Sequence, residues 1–138
     1  MRLAQFVQRY PPALGGSEAY IQRLSGFLVD GGDSVTVWTT TALDLEAFWS
    51  PLADTLPAGC ASVDGVEVRR FPLTHWPGRR YVLKALSLLP WRQLQALALP
   101  CNPISWPMKR AADHWPQPFD AVHATALPYS WPLWCGQE

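Results

Sequence analysis

Gly15 and Gly16 are the residues whose type and place most readily do chemistry, because they stand between a strand pattern and a helical one. Upstream, Leu3, Ala4, Phe6 and Val7 form a buried-strand run; downstream, Tyr20, Ile21, Leu24, Phe27 and Leu28 recur at helical spacing. Paired glycines let another molecule approach the main chain, and the unpaired N–H groups of a helix start attract anions. The loop is therefore a candidate phosphate or sugar contact, against the plainer reading of a tight turn before a Ser17 cap. Glu18, in the first helical turn, is favoured by the helix dipole and reads as a capping carboxylate. Arg9 and Tyr10 lie on the approach to the glycines, where they either touch an acceptor or pack locally. The pair matches neither the spaced three-glycine dinucleotide fingerprint nor the Gly-Lys-Ser/Thr phosphate loop. His75, His114 and His123, with Cys60, Cys101 and Cys135, lack ligand spacing, so no metal is expected.

The elements that must position this loop follow in order. Asp30-Gly31-Gly32-Asp33 stops the helix, and residues 34–40, Ser-Val-Thr-Val-Trp-Thr-Thr, read as a β-branched strand. A strand-helix-strand crossover of this length implies parallel strands joined in the right-handed sense, hence an α/β fold with a mainly parallel sheet. Residues 44–50 suggest a short helical turn and 51–62 mostly loop. Residues 63–72 read as a third strand, with Asp64-Gly65 before its alternating part and Pro72 after it. Helices are expected over 79–99, broken at Pro90-Trp91, and over 104–115 between Pro103 and Pro116. Residues 118–124 form a short fourth strand, with a proline-interrupted apolar segment over 127–134. His123 falls at the carboxyl end of that fourth strand, the edge where open α/β sheets place ligands.

Composition removes several function classes. The chain has 138 residues, 49% of them hydrophobic, enough for a core of its own. Eleven basic residues balance eleven acidic ones, leaving no overall field for nucleic acid. Three widely spaced cysteines fit a reducing, cytoplasmic setting, and the N-terminus carries no export signal. The greasiest region, 81–101, is interrupted by Lys84, Pro90, Arg92, Gln93 and Gln95, whereas a spanning helix needs about 20 largely apolar residues. Eight tryptophans and fourteen prolines concentrate beyond Phe48. Trp76, Trp91, Trp106, Trp115, Trp131 and Trp134 suit core and inter-helix packing first, with sugar stacking or a peripheral membrane contact as alternatives.

Taken together, these stretches resemble the N-terminal lobe of the retaining glycosyltransferases of family 4 (group 1), which have the two-lobed GT-B fold. The resemblance rests on Arg9-Tyr10-Pro11-Pro12 with Gly15-Gly16 and Glu18, Leu24 and Leu28, Gly32 with Val35-Thr36-Val37 and Thr39-Thr40, the run from Asp64 to Pro72, and Phe119-Asp120-Ala121-Val122-His123. It implies a Rossmann-like three-layer sandwich and a single partial domain over 1–138, with a Trp/Pro-rich helical insertion near 73–117. The implied function is the acceptor-side part of an enzyme that moves a sugar from a nucleotide-sugar donor, with no cofactor and no metal. By the same resemblance Gly15 and Gly16 face the donor diphosphate, and His123 lies near the transferred sugar. Arg9, Tyr10 and Thr125 become possible acceptor contacts; Thr125 stands where many members carry a second histidine.

A complete enzyme of this kind would add further strands and a donor-binding second lobe. The expectation is therefore of a truncated lobe, inactive alone, whose fourth strand has an open outer edge in the order 3-2-1-4 and which dimerises or docks onto a partner. The alternative is a non-enzymatic carbohydrate-, lipid- or protein-binding module built on the same half-fold.

Overall fold

The computed structural model describes residues 1–99, 102–125 and 129–137, with the side chains of Arg80, Gln93 and Leu97 outside that description. Cys101 and the first residues of the expected apolar segment, including Leu127, also fall outside it.

Strand β1 (Arg2–Phe6) leads through a long turn into helix α1 (Gly16–Asp30) and strand β2 (Ser34–Thr40). Helix α1 ends where Gly32, at φ 88°, lets the Asp33 N–H reach the Leu28 carbonyl at 3.0 Å. A short 3-10 turn (Leu45–Phe48) follows, then β3 (Gly59–Val63), β4 (Val66–Phe71), α2 (Arg79–Ser87), α3 (Arg92–Leu97), α4 (Trp106–Asp113), β5 (Ala121–Ala124) and α5 (Trp131–Cys135). The sheet has the order β3-β4-β2-β1-β5. β1 runs parallel to β2 and β5, and β2 parallel to β4; only β3 is antiparallel. This is an α/β fold with a mostly parallel five-stranded sheet, compatible with a Rossmann-like arrangement.

One expectation is corrected at the edge. Residues 51–62 read as mostly loop in the sequence, yet Gly59–Val63 pairs with β4 as a hairpin. Asp64 and Gly65 both have positive φ, 51° and 79°, the backbone of a tight two-residue hairpin turn. Gly59, Cys60, Ala61 and Ser62 are small and exposed, so their own sequence carries little strand signal; the Asp-Gly turn carries it instead.

Alternation along the strands divides the core between the two faces. Val7, Val35, Val37, Val66 and Val68 meet Ile21 on the α1 side. Ala4, Phe6 and Trp38 meet Met108 of α4 and Trp131 and Cys135 of α5 on the other. Tyr20 and Phe27, expected on the apolar face of α1, are exposed. α2 and α3 pack on one another, and Leu83 and Leu86 of α2 join the α4–α5 side of the core.

Candidate functional site

The chain reverses between β1 and α1 at the carboxyl end of the parallel strands. After β2 and β4 have been laid on one side of β1, it returns to place β5 on the other, so the turn sits at the point where strand order switches. Neighbours tie the turn down. The Thr40 hydroxyl donates to the Gln8 carbonyl at 2.6 Å, and Arg70 Nη2 donates to the Pro11 carbonyl at 2.8 Å. The Pro11–Pro12 peptide is cis.

The two glycines have different surroundings. A Cβ at Gly15 would overlap Glu18 Oε2 and lie 2.9 Å from Glu18 Cδ, so any larger residue there would displace the buried Glu18 carboxylate. Gly16 has no atom within 4 Å of the position its Cβ would take. The open space expected beside a ligand-binding loop is therefore at Gly16 alone.

Ser17 and Glu18, expected as caps, do something else. The start of α1 carries no side-chain cap bond. Glu18 is 2% exposed and binds Arg9 Nη2 through Oε1 at 2.8 Å, while its Oε2 accepts from the Ser17 hydroxyl at 2.8 Å. Arg9 also donates to the Leu43 carbonyl at 3.3 Å. The carboxylate thus neutralises a buried guanidinium beneath the turn, and Arg9 pairs locally, one of the two roles open to it on the approach to the glycines. Tyr10, the second expected acceptor contact, is buried to 1% exposure; burial pushes its phenol up and a hydrogen bond with Ser25 opposes this. Its place in the core is the local packing that its position before the glycines also allows.

His123 and Thr125 are held apart from this cluster. His123 is the third residue of β5 and pairs in register with Gln5 on β1, three residues before Gln8, whose amide reaches Ser17 at 3.4 Å. Thr125 lies higher, at the carboxyl edge, where its N–H bonds the Phe6 carbonyl at 3.1 Å. Gln5 Oε1 is 2.6 Å from the Ser25 hydroxyl. His123 Nδ1 and Gln5 Nε2 are buried without hydrogen-bond partners among the described residues. The structure thus gathers Arg9, Gly15, Ser17 and Glu18 into one constellation and leaves His123 on the ladder below it.

A second feature was not legible as a site. Trp76, Leu83, Ile104, Trp106, Trp131 and Trp134 are among the walls of an apolar cleft of about 400 Å³ on the α4–α5 side of the sheet. Trp106, Trp131 and Trp134 meet edge-to-face, with ring centroids 5.0–6.0 Å apart. Beside it, Arg79 donates to the carbonyls of Phe48 and Asn102 and lies over the Trp76 ring. Burial, and then the Arg79 charge, hold His75 below its ordinary value. Nothing in the Pro/Trp spacing announces a cleft; its walls come from three separate segments.

Cys135 is buried, and burial pushes its thiol up to about 12, while Cys60 is exposed. With Cys101 replaced by serine, a thiol reagent at pH 8 is expected to label Cys60 in the folded chain and Cys135 only after unfolding. Prompt labelling of both would place Cys135 outside the core. The folded thiol keeps its proton longer than the ordinary value of 9.0, so its contribution to stability is complete below pH 9 and declines as pH rises toward about 12.

Among the described residues no group of three or more His, Cys, Asp or Glu side chains is placed to hold a metal ion. No helix among them is long and apolar enough to cross a membrane. Comparison of the chain with known protein families, with curated proteins and with solved structures finds no match.

Proposed function

We propose that this chain is the acceptor-side N-terminal lobe of a family 4 GT-B glycosyltransferase, acting on a nucleotide-sugar donor and working together with a donor-side lobe. On this reading the sheet, with α1 on one face and α4 and α5 on the other, is the Rossmann-like three-layer first lobe. The observation that carries the reading is Gly16: an uncrowded glycine at the first position of α1, at the strand-order switch point, with no side-chain cap over the helix N–H groups. A diphosphate approaching there would meet backbone donors and the positive end of the helix dipole, which stabilise charge as the sugar–phosphate bond breaks. The second lobe is needed to close the cleft and exclude water. Free Cys60 and Cys135 agree with a reducing, cytoplasmic setting.

The test uses a protein in which this lobe is joined to a donor-side lobe. Gly16→Val is expected to lower kcat/KM for the nucleotide sugar about 100-fold while the melting temperature holds, because the side chain enters open space. Unchanged kinetics would remove the loop from the active site. The second reading, a non-enzymatic binding module, is favoured by the wholly apolar cleft beside Trp131. Labelled nucleotide sugars separate the two: transfer by the two-lobed protein supports the first, and its absence with a folded donor lobe supports the second.

A further inference from the structure

The helical hairpin α2–α3 buries leucines on one face and exposes large apolar side chains among cations on the other. Leu83 and Leu86 turn inward to the core shared with Met108 and Trp131. Tyr81, Lys84 and Leu88, at spacings of three and four, form an outward stripe, continued past the helix end by Leu89 and Trp91. Tyr81 is 78%, Leu88 80% and Trp91 62% exposed. Exposed aromatic and aliphatic side chains clustered among cations mark a surface that meets an amphipathic partner.

Charge selects the partner. The chain is neutral overall, yet residues 68–112 contain no Asp or Glu, while eight of the eleven basic residues lie there: Arg69, Arg70, Arg79, Arg80, Lys84, Arg92, Lys109 and Arg110. Lys84 and Arg92 are exposed and flank the apolar crest. A protein interface would bury Lys84 in the middle of its contact, where lysine is depleted. At a bilayer the same side chain lays its stem along the apolar surface and lifts its ammonium to the phosphates, while Tyr81 and Trp91 occupy the headgroup level.

We infer that the outer face of the α2–α3 hairpin is a peripheral docking surface for an anionic lipid bilayer, with Leu88, Leu89 and Trp91 entering the headgroup–acyl boundary and Lys84 and Arg92 contacting lipid phosphates. The hairpin lies on the membrane and does not span it. This inference stands independently of the transferase reading.

The 138-residue chain is mixed with phosphatidylcholine vesicles, with and without phosphatidylglycerol, and the bound fraction is read by sedimentation. Binding is expected to the anionic vesicles and to weaken with added salt. Each cation near an anionic surface is worth about five-fold in partitioning, so Lys84→Gln with Arg92→Gln should weaken binding more than tenfold. Leu88→Ser with Trp91→Ser should weaken it as much. Tyr20→Ser with Phe27→Ser, which removes exposed apolar groups from α1, should leave it unchanged, and circular dichroism confirms that each variant is folded. Equal binding to both vesicle types, or equal loss from the α1 variant, overturns the inference. So does self-association that is abolished by the Leu88 and Trp91 substitutions in a chain that binds no vesicles, which would assign the face to a second copy.

Discussion

Glu18→Ala is expected to destabilise the folded chain by about 3–5 kcal/mol, because it leaves a buried guanidinium without its counter-charge. The Arg9 and Glu18 side chains are 9% and 2% exposed, so water cannot replace the lost carboxylate, and the remaining bond from Arg9 to the Leu43 carbonyl is a long one. Gly15→Ala strikes the same pair from the other side, pressing a methyl group into Glu18, with an expected loss of about 1–3 kcal/mol. Replacing both charges, as Arg9→Met with Glu18→Leu, should recover most of the stability lost in Glu18→Ala, since removing a buried pair costs far less than breaking it. Urea unfolding of the four proteins checks the set. A loss below about 1 kcal/mol for Glu18→Ala would mean that the pair behaves like an exposed one.

Trp38→Ala is expected to cost a similar amount, about 3–5 kcal/mol, for a different reason. Trp38 is fully buried at the centre of the sheet, stacked between Phe6 and Phe71 at 5.3 Å each, with the Trp115 edge at 5.2 Å. Phe6 and Phe71 sit on strands hydrogen-bonded to either side of β2, so they cannot close over the cavity. Trp38→Phe should lose less than half as much: it keeps a ring between its neighbours and removes an indole N–H that has no partner among the described residues. Urea unfolding measures both variants, and near-ultraviolet circular dichroism should show the loss of the aromatic stack in the alanine variant. Equal losses for alanine and phenylalanine would show that ring stacking is not what Trp38 contributes.

The frame of the sheet was readable because it is written locally. The β-branched run of β2, the glycine stop after α1 and the Asp64-Gly65 turn each fix backbone geometry within a few residues. The break at Pro90-Trp91 likewise separates α2 from α3. The relations among the site residues are not local. That Glu18 turns toward Arg9 depends on the return of the chain through eight intervening positions, and at the helix start the dipole argument favours a carboxylate without saying which way it points. Tyr10 precedes two prolines in a loop, where exposure is the ordinary expectation; its burial follows from packing against α1 and the valines of β2 and β4. Gly15 and Gly16 look alike in sequence, and only the position of Glu18 tells them apart. The apolar cleft was unreadable because its walls come from three segments, within 76–94, 104–106 and 131–134, whose mutual placement no short-range signal records.

The pairing of β1 with β5 also sets an order of events during synthesis. Asp120 Oδ2 accepts a hydrogen bond from the Arg2 N–H across a separation of 118 residues, so the first strand is finished by almost the last segment described. On a ribosome, β1 and β2 are available to pair once β2 has emerged behind α1, but β5 follows roughly ten seconds later at ordinary elongation rates. Throughout that interval the outer backbone groups of the sheet's inner strand are exposed, and the nascent chain passes through a state with an unprotected edge that the finished protein conceals.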